Sequence, residues 1–189
     1  MLNQAKRSED QIINGLNVTT YQQTVEAVRS EPTLAKFQFR ASNRWDGGGL
    51  NRTTIRDFTG AGEEQGRDGR SFTVLADEPP VLLGEDAAPN PVEYLLHALA
   101  SCLTSSIVFK AAARGIRVDS IESTLAGDLD ARAFLELSNA ERKGYQHIRV
   151  AFKIRADATA EELKAFAEFS PVLDVLSHGT AVSLNVEKA

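Results

Sequence analysis

The sequence predicts an α+β fold, and three observations predict it. Strand-like segments come first, one long helix follows, and strands, helices and a last strand close the chain. That order lacks the regular βαβα alternation of a doubly wound parallel sheet. Asn90 to Gly115 reads as a single long, mostly apolar helix. Gln146 to Arg155 reads as a strand, with Ile148, Val150, Phe152 and Ile154 alternating with Arg149, Ala151, Lys153 and Arg155.

The long helix has clear ends. Asn90 suits the N-cap, and Pro91 suits the first helical position, where its missing N–H costs nothing. Glu93 stands three residues after Asn90 and can reach back as in a capping box. Gly115 suits the left-handed residue that closes a helix. Leu95, Leu96, Ala98, Leu99, Ala100, Cys102, Leu103, Ile107 and Val108 make most of its circumference apolar or small, which predicts burial on more than one side. Its length approaches a membrane span, but His97, Ser101, Thr104, Ser105, Ser106 and Lys110 interrupt it. It therefore reads as the central helix of a soluble core, with no membrane role.

Composition narrows the class. The chain has 189 residues, 42% of them hydrophobic and 25% charged, as in ordinary globular proteins. A net charge of −5 gives no reason to expect nucleic-acid binding. A single cysteine excludes an internal disulfide, and MLNQAKRSEDQ lacks the apolar stretch of a secretory signal, so the expected compartment is the reducing cytoplasm.

In chain order, residues 1–16 read as a loose arm. Residues 18–31 fit a helix with Tyr21, Val25 and Val28 on one face, ended by Pro32. Together, residues 1–35 form an N-terminal helical extension to a domain over 36–189. Lys36 to Arg44 alternates as a half-buried strand, with Phe37, Phe39 and Ala41 on one side. Trp45-Asp46-Gly47-Gly48-Gly49 is a turn, and Asn51 to Phe58 returns as a second strand. Gly60 to Arg70 reads as an exposed loop, and Ser71 to Ala76 as a short strand. Asp77 to Pro89 is an irregular approach to the central helix. Beyond it come a strand within Ile116 to Asp130 and a polar loop or short helix over 131–143. Two capped helices follow, one from Thr159 with Glu162, one from Ser170-Pro171 to Gly179. Ala181 to Glu187 alternates as a last strand.

Little chemistry stands out. Cys102 is the one soft nucleophile, and a thiol reacts only where its thiolate is stabilised. At about 100° per residue, Cys102 shares a face with Leu95, Ala98 and Leu99, while Glu93 lies about 180° away and His97 about 140° away. Glu93 is thus better explained as a cap than as a thiol partner. His97, His147 and His178 are scattered without metal-ligand spacing, so no metal site is expected, and no other cofactor is implied. The serines of the helix lack a nucleophile elbow. Arg40, Arg44, Arg52 and Arg56 are the arginines whose charge would matter near a thiol.

PNPVEYLLHALASCLT, followed later by SPVLDVLSHGTAVSLNV, resembles the OsmC/Ohr family over roughly Lys36 to Glu187. The EPPVLLGE run before PNPVEYLL looks like a widespread, poorly characterised branch of OsmC-like proteins. The resemblance implies an intertwined homodimer with long central helices packed between antiparallel sheets and two sites at the interface. In peroxidase members an organic hydroperoxide oxidises the first cysteine to a sulfenic acid. A second cysteine forms a disulfide, a dithiol restores it, and an arginine and a glutamate polarise the first thiol.

Residue by residue, Cys102 occupies the first-cysteine position and Arg52 is the best match for the arginine. Ser170 stands where the second cysteine would be. Val92 stands where the glutamate follows Asn-Pro, with Glu93 one step later. Without a resolving thiol, a sulfenic acid at Cys102 requires an external thiol reductant or over-oxidises. Three readings follow. One is a one-cysteine hydroperoxide reductase using Cys102 and Arg52, with Val92, Glu93 and Ser170 lining the site. Another is a non-catalytic dimeric binding module for a small apolar or thiol-containing ligand. The third is a different cysteine-dependent reaction such as acyl transfer.

Overall fold

The computed structural model describes residues 10–188. The chain divides into two compact units, one reaching to Leu95 and the other starting at Leu96. Residues 1–9 of the expected arm lie outside the described residues.

In the first unit the arm is not loose throughout. Ile12–Ile13 (β1) and Leu16–Asn17 (β2) pair antiparallel around Asn14-Gly15, both at positive φ. Asn-Gly favours that tight turn, so the signal was present in IINGLN. Asn17 then caps Val18–Ser30 (α1) by accepting the Thr20 N–H at 2.9 Å. Of this helix only Val18 is buried.

The main sheet of this unit joins Ala41–Gly47 (β3), Leu50–Ile55 (β4) and Phe72–Ala76 (β7) in the order β3-β4-β7, all antiparallel. The expected first strand begins later than Lys36 and is exposed rather than half-buried. Phe37 and Phe39 precede it and stack on each other and on Phe58, with ring centroids 5.1 to 6.4 Å apart. Aromatic stacking replaces core burial for them. The second expected strand breaks at Arg56-Asp57. Phe58–Gly60 (β5) then pairs with Glu63–Gln65 (β6), so the expected Gly60–Arg70 loop contains a short hairpin.

Asp77 organises the approach to the central helix. It is 2% exposed and accepts backbone N–H groups from Glu78, Glu85 and Ala87 at 2.8, 3.1 and 3.1 Å. The hydrogen bonds from Ala87 and Glu78, with that from Glu85, outweigh desolvation and hold its carboxyl below the usual value. The loop that it closes includes a 3-10 turn, Pro80–Leu82, and Leu83 at φ 68. Tyr94 anchors the first turn of the next helix by donating its hydroxyl to the Leu75 carbonyl at 2.7 Å.

That helix, Pro91–Ala112 (α2), crosses from the first unit into the second. Its cap is as the sequence predicts. Asn90 accepts the Glu93 N–H at 2.8 Å, and Glu93 accepts the Asn90 N–H at 2.9 Å. Gly115 follows at φ 76.

The core of the second unit is built on one row of α2. Leu99, Leu103, Ile107 and Ala111 recur every four residues and are buried with Leu163, Phe166 and Ala167. The latter three come from Ala160–Ala167 (α3), whose Thr159–Glu162 capping box is formed. Val118–Asp128 (β8) and His147–Ala156 (β9) form a long antiparallel hairpin. Its inner side chains Ile121, Leu125, Ile148, Val150, Phe152 and Ile154 pack on the same core. Pro171–His178 (α4) adds Val172, Leu173 and Leu176. Lys110 and Arg114 lie over the rings of Phe169 and Phe166, tying the end of α2 to the α3 region.

Two expectations are corrected here. The central helix is buried along one row, not on several sides: Leu95 and Phe109 are exposed in the single chain. By length and composition alone this helix is long and apolar enough to cross a membrane. Ala181 to Glu187 is not a strand. Val182, Leu184 and Val186 alternate as a strand would, yet all are exposed and the segment pairs with none of the described strands. A ladder needs a neighbouring edge as well as a pattern.

Candidate functional site

Cys102 lies on α2 within the second unit, beside the buried row rather than in it. Its neighbour Leu103 is 4% exposed, whereas Cys102 itself is half-buried and free of any disulfide. The helix thus holds the thiol at the margin of the apolar core. Ser101 and Ser105 stand exposed on the same helix, and His97 is exposed one turn earlier.

Ser170 lies in the same unit and is 1% exposed. Its Oγ accepts the Leu173 N–H at 3.1 Å, capping α4. The residue therefore holds the structural role the sequence gives it, and a hydroxyl cannot resolve a sulfenic acid by forming a disulfide.

Val92, Glu93 and Arg52 belong to the first unit. Val92 is half-buried in the first turn of α2, so no carboxylate occupies that position. Glu93 is exposed and its carboxylate is engaged with the Asn90 N–H. Arg52 lies on β4, directly across from Arg44 on β3.

Sequence reasoning missed the group between those two arginines. Asp46 accepts from Arg52 Nε at 3.0 Å and from Arg44 Nε at 3.0 Å. Desolvation pushes the Asp46 carboxyl up, but the hydrogen bond from Arg52 and the charge and hydrogen bond of Arg44 outweigh it. The carboxyl ends below its usual value. Two like charges facing each other across a ladder call for such a counter-charge. Asp46 stands near the end of β3, just before the glycine turn, and the strand register brings both arginines to it.

The histidines do not converge. His97, His147 and His178 are exposed on separate elements, and His178 Nδ1 lies 3.1 Å from Asp174 on its own helix. Among the described residues, no three His, Cys, Asp or Glu side chains gather as metal ligands.

The segment carrying Cys102, Ser170 and the α2 cap is the one that known proteins share. The family of OsmC-like proteins matches residues 84–185, more than half of the chain. The chain belongs to the OsmC-like protein family.

Solved structures agree on the fold. This OsmC-like chain resembles an osmotic stress induced and detoxification response protein from Psychrobacter arcticus 273-4. Identity is 15% and the TM-score 0.55, over 74% of this chain and 88% of that one. It also resembles an OsmC-like protein from Mycoplasma pneumoniae, at 18% identity and a TM-score of 0.51, over 76% and 88%. No curated protein matches the sequence. The α+β architecture with antiparallel sheets is thus that of OsmC-like proteins.

Proposed function

We propose that this OsmC-like protein is a cytoplasmic, homodimeric, thiol-dependent hydroperoxide reductase that works through Cys102 alone. The observation that carries this reading is the contrast between Cys102 and Ser170. The only thiol is half-buried at the edge of the core, and Ser170, proposed to stand at the position of a second cysteine, is a buried cap.

In the proposed cycle the Cys102 thiolate attacks a peroxide oxygen. An S–O bond forms and the O–O bond breaks. Sulfur gives two electrons, and the leaving alkoxide takes a proton to become an alcohol. One thiol of an external dithiol then attacks the sulfenic acid, releasing water and leaving a mixed disulfide. Its second thiol displaces Cys102 and closes the reductant's own disulfide. Arg52 is the proposed source of positive charge for the thiolate, held in place through Nε by Asp46. Val92 and Glu93 are proposed to border the site. The exposed Leu95 and Phe109 support a second copy covering α2.

The test mixes reduced protein, an organic hydroperoxide and an external dithiol, and compares Cys102→Ser. Peroxide consumption and a sulfenic or sulfinic mass adduct are expected in the native protein only. Equal consumption by both proteins sinks the reading. A second reading, a non-catalytic binding module for a small apolar or thiol-containing ligand, is favoured by Val92 at the carboxylate position. It expects an unmodified mass after peroxide.

A further inference from the structure

We infer that the β3–β4 hairpin carries a binding site for a tetrahedral oxyanion, a phosphate group, built from Arg40, Arg56, Ser42 and Thr54. The register places the site. Ser42 on β3 pairs with Thr54 on β4, and Ala41 with Ile55. Arg40 and Arg56 stand one step beyond the ladder, two residues from Ser42 and Thr54 respectively. Side chains two apart share a face of a strand. Ser42 and Thr54 form a cross-strand pair, Arg40 and Arg56 flank the end of the ladder, and all four residues line a single recess of about 210 Å³.

The charges in this recess are not balanced by pairing alone. Like charges on facing strand positions destabilise a sheet. Arg40 is partnered: it donates to Glu64 and, at 3.1 Å, to Thr59 Oγ1. Arg56 meets no carboxylate within ion-pair range among the described residues, and only its carbonyl is engaged, by Arg67 Nε at 2.7 Å. Asp57 also lines the recess, with one oxygen accepting the Arg67 N–H at 3.1 Å. Its charge opposes an incoming anion and tempers the affinity.

The Arg56 guanidinium, the Ser42 and Thr54 hydroxyls and the N–H groups that Arg40 keeps beyond its bonds to Glu64 and Thr59 match the acceptor oxygens of a phosphate, which makes short charge-assisted hydrogen bonds to arginine. A planar carboxylate would use one guanidinium fork and leave the hydroxyl pair idle. The source of the phosphate is either the free ion or a phosphate monoester, and both present the same oxygens.

Calorimetric titrations at fixed ionic strength test this, with inorganic phosphate, phenyl phosphate and acetate as probes. Saturable heat is expected with the two phosphates and none with acetate. If phenyl phosphate binds more tightly, a monoester is the occupant; if inorganic phosphate does, the free ion is. Arg56→Gln should weaken binding about tenfold or more, through loss of a charged bidentate donor. Asp57→Asn should tighten it, and Arg70→Gln, a matched loss of charge outside the recess, should leave it unchanged. Circular dichroism confirms that each variant is folded. Absence of saturation, acetate binding as tightly as phosphate, or equal losses in Arg56→Gln and Arg70→Gln would overturn the assignment.

Discussion

The hydroxyl of Ser170 accepts the backbone N–H of Leu173 at 3.1 Å, and this bond starts α4 from a wholly buried position. The residue therefore acts through the fold. Ser170→Ala should destabilise the protein by about 1 kcal/mol, the usual value of an N-cap. Thiol reactivity at Cys102 should not change. Thermal unfolding and the rate of thiol labelling measure the two effects separately.

Ser170→Cys tests the family geometry. Under mild oxidant the introduced thiol should form a disulfide with Cys102, detectable as a loss of two hydrogens in the intact mass. Failure to form it while both thiols remain reactive would count against Ser170 as the counterpart of the second cysteine.

Ile107 is 1% exposed at the centre of the buried row of α2. Ile107→Ala should cost roughly 2–5 kcal/mol, from lost transfer energy and the cavity left behind. Ser105→Ala, two residues away and exposed, should stay within about 0.5 kcal/mol of the native protein. Denaturant unfolding decides, and equal losses would mean that the buried row is misplaced.

The loop before α2 rests on close backbone approach. A Cβ on Gly84 would fall 1.8 Å from the Glu78 carbonyl oxygen. Gly84→Ala should destabilise by about 1–3 kcal/mol, as overpacking does. A chemical-denaturation midpoint that does not move would refute the tight closure around Asp77.

Acid stability should report Asp130. The side-chain hydrogen bond from Arg132, with its backbone N–H, lowers the Asp130 pKa to about 2 from 3.8. A depressed folded-state pKa means that the unfolded chain binds more protons in this window. The stabilisation is then fully present above about pH 3.8 and is lost as pH falls through about 2. Arg132→Gln should flatten the stability profile between these values, lowering stability above about pH 3.8 and changing little below about pH 2. An unaltered acid limb would show that the pair contributes nothing.

The site was legible in parts. The capping boxes at Asn90 and Thr159 and the cap at Ser170 needed only residues within one helical turn, and all three formed. Cys102 was visible as the lone thiol, and its edge-of-core position follows from which α2 row packs. Asp46 and Asp77 were not read, because their partners are fixed by a strand register and by a loop closure that periodicity does not encode.

By itself, then, the sequence determined the α+β class, the long capped helix, the β9 alternation and the family. Each rests on local pattern: 3.6- or 2-residue periodicity, caps and a contiguous motif. Tertiary structure alone decided which row of α2 is buried and that Arg44 and Arg52 share Asp46. It also decided that Val182, Leu184 and Val186 lie exposed despite their strand-like alternation. The physical reason is that burial and strand pairing depend on a partner surface distant in sequence, and a local pattern offers a face without naming what will cover it.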